Sequence, residues 1–317
     1  MAEKIATRVA YGKALAEFGA TYRNLVVLDA DLSGSTNSNR FAKEYPERFF
    51  NIGIAEANMV SIAAGLATCG KQVFASTFAM FASGRAWEQV RNSVAYPHLN
   101  VKIAGSHGGL SVGEDGPTHQ ACEDLAIMRD IPGMLVVCPC DANEMRAAVE
   151  QLLNYDGPAY LRLGRSAVET VTDAIPGYSF QLGKGCTLRE GSDVTIIAVG
   201  LMVQESLKAA ELLAEEGISA RVVNMPTIKP LDNELVLQCA QETGCIVTCE
   251  EHSTVGGLGS AVCEYLSEAC PTPVIRHGVQ DVFGAAGKAQ AVLDHFGLNP
   301  AGIAEAAKRA LAKKNRK

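Results

Sequence analysis

The sequence predicts an α/β protein of two domains, each a mostly parallel sheet flanked by helices. Three observations support this. Short apolar runs alternate with stretches of helical spacing along most of the chain. The strand–helix–strand units repeat, as in a parallel sheet covered on both faces. The chain has 317 residues, long for one compact unit.

In the first domain, expected over 1–165, "TRVAYGKALAEFGATY" spaces its apolar residues as a helix and "LVVLDAD" is a buried strand ending in turn formers. "EANMVSIAAGLATCG" is a small-residue helix stopped by Gly70, and "QVFAST" is the next strand. "FASGRAWEQVRNSVAY" is expected as a third helix and "NVKIAGS" as a third strand. "DLAIMRDI", "MLVVCPC", "DANEMRAAVEQLLNY" and "PAYLRLG" continue the alternation. The stretch 166–190 has Pro, several Gly and no period, and reads as a linker. A second domain over 191–317, of about 130 residues, resumes with "DVTIIAVG", "ESLKAAELLAEEG", "SARVVNM", "LDNELVLQCAQETG", "CIVTCEE", "GGLGSAVCEYLSEA" and "TPVIRHG".

Hydrophobic residues at 48% and charged residues at 20% describe a well-cored globular protein. A formal charge of -7 argues against a nucleic-acid surface, and the terminal "KRALAKKNRK" reads as a solvated tail. With no leader and no apolar run long enough to span a bilayer, a cytoplasmic protein without membrane contact is expected. The cysteines sit in apolar contexts such as "VVCPC", where reduced buried thiols are expected; the lone CxC gives no zinc spacing. "VGGLGS" lacks the third glycine of a dinucleotide fingerprint and reads as a turn into a helix.

The stretch that carries chemistry is "GSHGGLSVGEDGPTHQ", residues 105–120. It follows a strand, so it lies at a carboxyl end, where open α/β sheets place their sites. His107, Asp115 and His119 within one loop can exchange protons and hold hydroxyls. Glu56 of "NIGIAEAN" stands among small and apolar residues near a helix start; burial there favours a protonated or proton-sharing carboxyl, while capping is the competing role. Phe78 and Phe81 of "STFAMF" are spaced to share one face of a helical turn, as core packing or as a platform for a flat ring. Arg165 ends "LRLGRS" as a surface group or an anion clamp.

Taken in order, "DADLSGST", "NIGIAEAN", "STFAMF", "GEDGPTHQ" and "LRLGRS" resemble the pyrimidine-binding domain of transketolase. "VVNMPTIKPLD" and "VTCEEHSTVGGLGSAV" resemble its C-terminal domain. The resemblance implies a thiamine-diphosphate enzyme that moves a two-carbon ketol unit from a ketose phosphate to an aldose. It implies that Glu56 shares a proton with the coenzyme's aminopyrimidine ring and that Phe78 and Phe81 pack around that ring, Phe81 the closer. Asp31 falls beside the thiazolium. A third family aromatic is replaced by Gly84, with Trp87 a possible substitute. Asp115 and His119 match the residues that hold the donor sugar near the reacting carbonyl. Arg8, Ser35, His107 and Arg165 match the phosphate grip.

The diphosphate and its divalent metal, Mg2+ or Ca2+, are held in the family by a GDG motif that this chain does not contain. The chain also opens at the "ATR" that begins the family's second domain. Both imply the C-terminal subunit of a split transketolase whose N-terminal partner supplies the diphosphate and metal site, with two copies of each chain. Related readings are a deoxyxylulose-phosphate synthase-like protein, a 2-oxo acid dehydrogenase beta-type subunit and a non-catalytic scaffold. Phe81 weighs against the first, the "EDGPTHQ" loop against the second, and the full set of site residues against the third.

Overall fold

A computed structural model describes residues 4–175 and 177–315. Among the described residues, fourteen strands form two main sheets and one small ribbon: β1 Ile5–Ala6, β2 Leu25–Asp29, β3 Phe49–Asn51, β4 Gln72–Phe78, β5 Val101–Ser106, β6 Leu135–Val137, β7 Ala159–Leu163, β8 Ala167–Val168, β9 Cys186–Arg189, β10 Val194–Ala198, β11 Ala220–Asn224, β12 Thr227–Lys229, β13 Ile246–Ser253 and β14 Val274–Val279. The first sheet has the order β12-β6-β7-β5-β4-β2-β3 and the second β14-β13-β10-β11-β9. All neighbours are parallel except the edge strands β12 and β9. Every residue of β2, β5, β7, β10 and β11 is buried, including Lys102 of β5, Arg162 of β7 and Arg221 of β11, and their largely apolar composition reflects cover on both faces.

Most of the expected helices form, and side-chain caps fix three of the starts. Asp141 accepts from Glu144 N ahead of helix Ala142–Asn154, Asp232 from Leu235 N ahead of Asn233–Thr243, and Asn299 from Gly302 N ahead of Pro300–Lys314. The "VGGLGS" turn does lead into a helix, Leu258–Ala269.

Four expectations change. The stretch 81–96 is not one helix: Ala79–Gly84 stops, Trp87–Gln89 restarts, and Val90–Ala95 continues as a π-turn. Gly84 is the weakest helix former in the stretch, and the backbone leaves helical geometry at Ala86, φ -105° and ψ 4°. Phe78 and Phe81 do not share a helical turn, because Phe78 is the last residue of β4 and Phe81 lies inside the helix that follows. The expected linker holds two strands, β8 paired to β1 and β9 on the edge of the second sheet. The basic tail is helical through Lys314, burying Ala307 and Ala310, with Lys308 paired to Glu216; Arg316 and Lys317 lie outside the described residues.

The two domains share a core. One apolar cluster runs from Val26, Met59 and Ile103 of the first sheet's layer to Ile197, Val223 and Leu258 of the second. β12 crosses the boundary to pair with β6. Polar groups follow the same seam. Glu144 accepts from Cys140 N (2.7 Å), from Asn224 Nδ2 (2.7 Å) and from the Tyr178 hydroxyl, so one buried carboxylate ties the first domain, the second and the linker. Arg162 donates to Asp124 at 2.9 Å in a fully buried pair. Among the described residues no helix is long and apolar enough to cross a membrane.

Candidate active site

Parallel alignment of β2, β4, β5 and β7 brings four strand exits side by side. Asp31 follows β2, Phe78 ends β4, His107 follows β5 and Arg165 follows β7. Glu56 opens the helix Glu56–Thr68 beyond β3, and Arg8 lies in the first turn of Thr7–Phe18. The sheet thus gathers residues that are up to 157 positions apart in the chain.

Asn51 couples the two loops on the β2–β3 side. Its Oδ1 accepts from Asp31 N and from Gly53 N, both at 3.0 Å, and its Nδ2 donates to Asp31 Oδ1 at 2.9 Å. Asp31 is held at φ +65°, a left-handed conformation that few residues other than Gly, Asn and Asp adopt. Behind it, buried Asp29 accepts from Leu32 N, Thr36 Oγ1 and Ser38 Oγ and shapes the loop that carries Ser35. Glu56 itself is only 3% exposed. Its partner is Arg85, whose Nη1 lies 3.5 Å from both carboxylate oxygens and whose guanidinium sits 4.5 Å over the Phe81 ring.

An aromatic wall joins this acid to the loop 105–120. Phe78 and Phe81 stack at 5.9 Å, and the His107 ring stacks on Phe78 at 4.0 Å. His119 meets Phe81 edge-on at 5.5 Å and Phe78 at 6.2 Å. Trp87 forms no part of this wall; it packs against the core with its indole N–H on Ile127 O. His107, like Asp31, has a left-handed backbone, at φ +62°. Its Nδ1 is 2.8 Å from Ser106 Oγ.

Beyond the wall lies a concentration of positive charge. Arg8 donates to Ser35 O at 2.7 Å and to Arg165 O at 3.4 Å, so Ser35 joins the cluster through its carbonyl. Burial and then Arg165 hold the Arg8 guanidinium below its usual range. Arg165 donates to Val112 O at 2.8 Å and pairs with exposed Glu114 at 3.1 Å. Burial, then Arg8, Arg165 and His119, depress the His107 pKa to about 3. His107 is therefore neutral at pH 7, and an anion bound here would relieve the repulsion among these groups. Asp115 stands exposed beside Gly116, four residues before His119 on the same loop.

One consequence is a pH dependence of folding. A depressed histidine takes up its proton in the unfolded chain first, so its stabilising contribution is complete above pH ~6.5 and shrinks as pH falls toward 3. His107→Gln should flatten urea-unfolding stability across that window; an unchanged slope would show that His107 ionises as it does in the unfolded chain.

Sequence reading put the loop 105–120 and Arg165 at strand ends; the structure brings Glu56, Phe78, Phe81, Arg8, Ser35 and Asp31 to the same edge, together with Asn51, Asp29 and Arg85, which the sequence did not single out. Asn51 opens the stretch "NIGIAEAN" and was visible there; Arg85 is one arginine among many in helical context, with no local signal. The His107 ring covers one face of Phe78, the Arg85 guanidinium lies over Phe81 beside the Glu56 carboxylate, and Arg8 and Arg165 bring two guanidinium groups together. Among the described residues no cluster of His, Cys, Asp or Glu could hold a metal ion.

Residues 3–170 match the family model of the transketolase pyrimidine-binding domain, and residues 183–303 that of the transketolase C-terminal domain. The chain superposes with a TM-score of 0.90 on a solved split-gene transketolase described as an inactive beta4 tetramer. The two are 52% identical, over 98% of this chain and 100% of that one. It is 46% identical to the 6-deoxy-6-sulfo-D-fructose transketolase subunit SqwH of Clostridium sp. strain MSTE9, over 97% of this chain and 95% of that protein. It is 43% identical to one of the subunits of the apulose-4-phosphate transketolase of Phocaeicola vulgatus, over 96% of each.

Proposed function

The chain belongs to the transketolase family, and from that premise we propose that it is the C-terminal subunit of a split, thiamine-diphosphate-dependent transketolase. It would bring to the shared site the pyrimidine-activating glutamate and part of the donor-sugar pocket. The reaction is transfer of a two-carbon ketol unit from a ketose phosphate to an aldose. One observation carries the reading: the Arg8–Arg165–His107 cluster abuts an aromatic wall that Arg85 links to the buried carboxylate of Glu56.

Transketolase-family proteins use thiamine diphosphate, and the residues here fit its ring end. Phe78 and Phe81 form an aromatic wall, Asp31 lies on the loop coupled to that of Glu56, and both the Phe81 face and the secluded Glu56 carboxylate come free once Arg85 yields them. When bound, the coenzyme supplies the nucleophilic carbon that takes up the two-carbon unit. The remaining work falls to this chain's side chains. His119 hydrogen-bonds to an oxygen of the donor near the reacting carbonyl, while neutral His107 joins the phosphate cluster. Asp115 accepts from a sugar hydroxyl. Arg8, aligned by the Ser35 carbonyl, and Arg165 grip the terminal phosphate with guanidinium forks. An N-terminal subunit would hold the diphosphate through Mg2+ or Ca2+, with two copies of each chain completing the assembly.

The test is reconstitution. Mixed with the subunit that carries the diphosphate-binding domain, the chain should transfer ketol units from at least one phosphorylated ketose, while the chain alone should not. The relatives named for sulfofructose and apulose 4-phosphate place both sugars on the donor screen. A pair inactive with every ketose tested would refute the reading.

A further inference from the structure

β13 carries two adjacent buried acids, and they serve different domains. Glu250 stays within its own: its carboxylate accepts from Leu258 N and Gly259 N, both at 2.8 Å, capping helix Leu258–Ala269, and burial pushes its pKa up to about 7. Glu251, one residue on, points to the opposite side, as strand geometry requires. Its Oε2 accepts from Ser111 N at 2.9 Å, across the domain boundary and inside the loop 105–120. That approach needs Gly109, which has φ +83° and where a Cβ would meet the Glu251 carboxylate at 2.5 Å.

The rest of the loop is held the same way. Leu110 is fully buried in the apolar core of the second domain. Gln120 Nε2 donates to Leu110 O at 3.3 Å and to Ala285 O at 2.9 Å, and Ser253 N donates to Cys122 O at 2.7 Å. Arg162 Nη2 donates to both Ala121 O and Glu251 O, tying β13 to the end of the loop. The segment that carries His107, Asp115 and His119 thus takes its shape from the C-terminal domain as much as from the strand it follows.

We propose that the C-terminal domain fixes the working shape of the donor-sugar loop, with Glu251 as the positioning residue. By accepting from the Ser111 amide it holds Asp115 and His119 in place relative to His107 and Phe81. The proposal rests on the transketolase reading above and gives the C-terminal domain a part in donor binding.

The experiment compares Glu251→Ala and Glu251→Gln in the reconstituted pair. Alanine leaves the Ser111 N–H buried without a partner, whereas glutamine keeps an oxygen acceptor. Glu251→Ala should raise the donor KM about tenfold, equivalent to about 1.4 kcal/mol, with the acceptor KM nearly unchanged. Amide hydrogen exchange across residues 108–121 should quicken in the same variant, and Glu251→Gln should restore both toward wild type. Should Glu251→Ala not fold, Gln120→Ala removes the second clamp from the loop side and should likewise quicken exchange and raise the donor KM. Unchanged exchange in the loop, equal effects on donor and acceptor, or a glutamine variant as impaired as alanine would each overturn the positioning role. A wild-type pair with no activity would instead overturn the transketolase reading, and the exchange measurement would still decide whether Glu251 holds the loop.

Discussion

Glu56→Gln in the reconstituted enzyme should slow proton exchange at the thiazolium carbon of bound thiamine diphosphate by roughly 10³-fold. The expectation follows from position rather than from residue type. Glu56 is buried to 3% exposure at the first turn of its helix, beside the Phe78–Phe81 wall, where a flat ring would present its edge to the carboxylate. Glutamine keeps the shape but cannot share a proton, so packing survives and acid–base work does not. Hydrogen–deuterium exchange read by NMR after rapid quenching separates this step from sugar binding. Exchange as fast as wild type would remove Glu56 from the chemistry and leave it as a helix-start carboxylate paired with Arg85.

Arg165→Ala should raise KM for phosphorylated donors by roughly 30-fold, about 2 kcal/mol, the range for a lost hydrogen bond to a charged group. Arg165 already shares its charge with Glu114 at 3.1 Å, which keeps the expected loss below that of an unopposed cation. Arg8 remains in place on Ser35 O and limits the loss further. Unphosphorylated donors should show almost no change, because they bring no dianion to the cluster. Equal losses for both classes would mean that Arg165 acts through its bond to Val112 O, shaping the loop rather than gripping the anion.

The strand–helix alternation was legible because strands such as β2, β5 and β10 are buried over their whole length and so appear as short, mostly apolar runs. Candidate site residues stood out where they cluster locally, as in "GEDGPTHQ", or where their order matches a family. What escaped depends on contacts between distant segments. β12 has three residues, and only its pairing with β6 makes it a strand. The break after Gly84 looked like helix because the apolar spacing continues through Val90 and Val94. Arg85 on Glu56 and Glu251 on Ser111 join residues 29 and 140 positions apart, which no periodicity encodes. The neutrality of His107 likewise comes from burial and from two arginines brought in by other strands and helices.

A site divided between two polypeptides is tested most directly by calorimetric titration of thiamine diphosphate with Mg2+ into this chain alone and into its equimolar mixture with the diphosphate-binding subunit. Saturable binding in the mixture, with none in the chain alone over the same concentrations, is the expected result. Equally tight binding by the chain alone would contradict it.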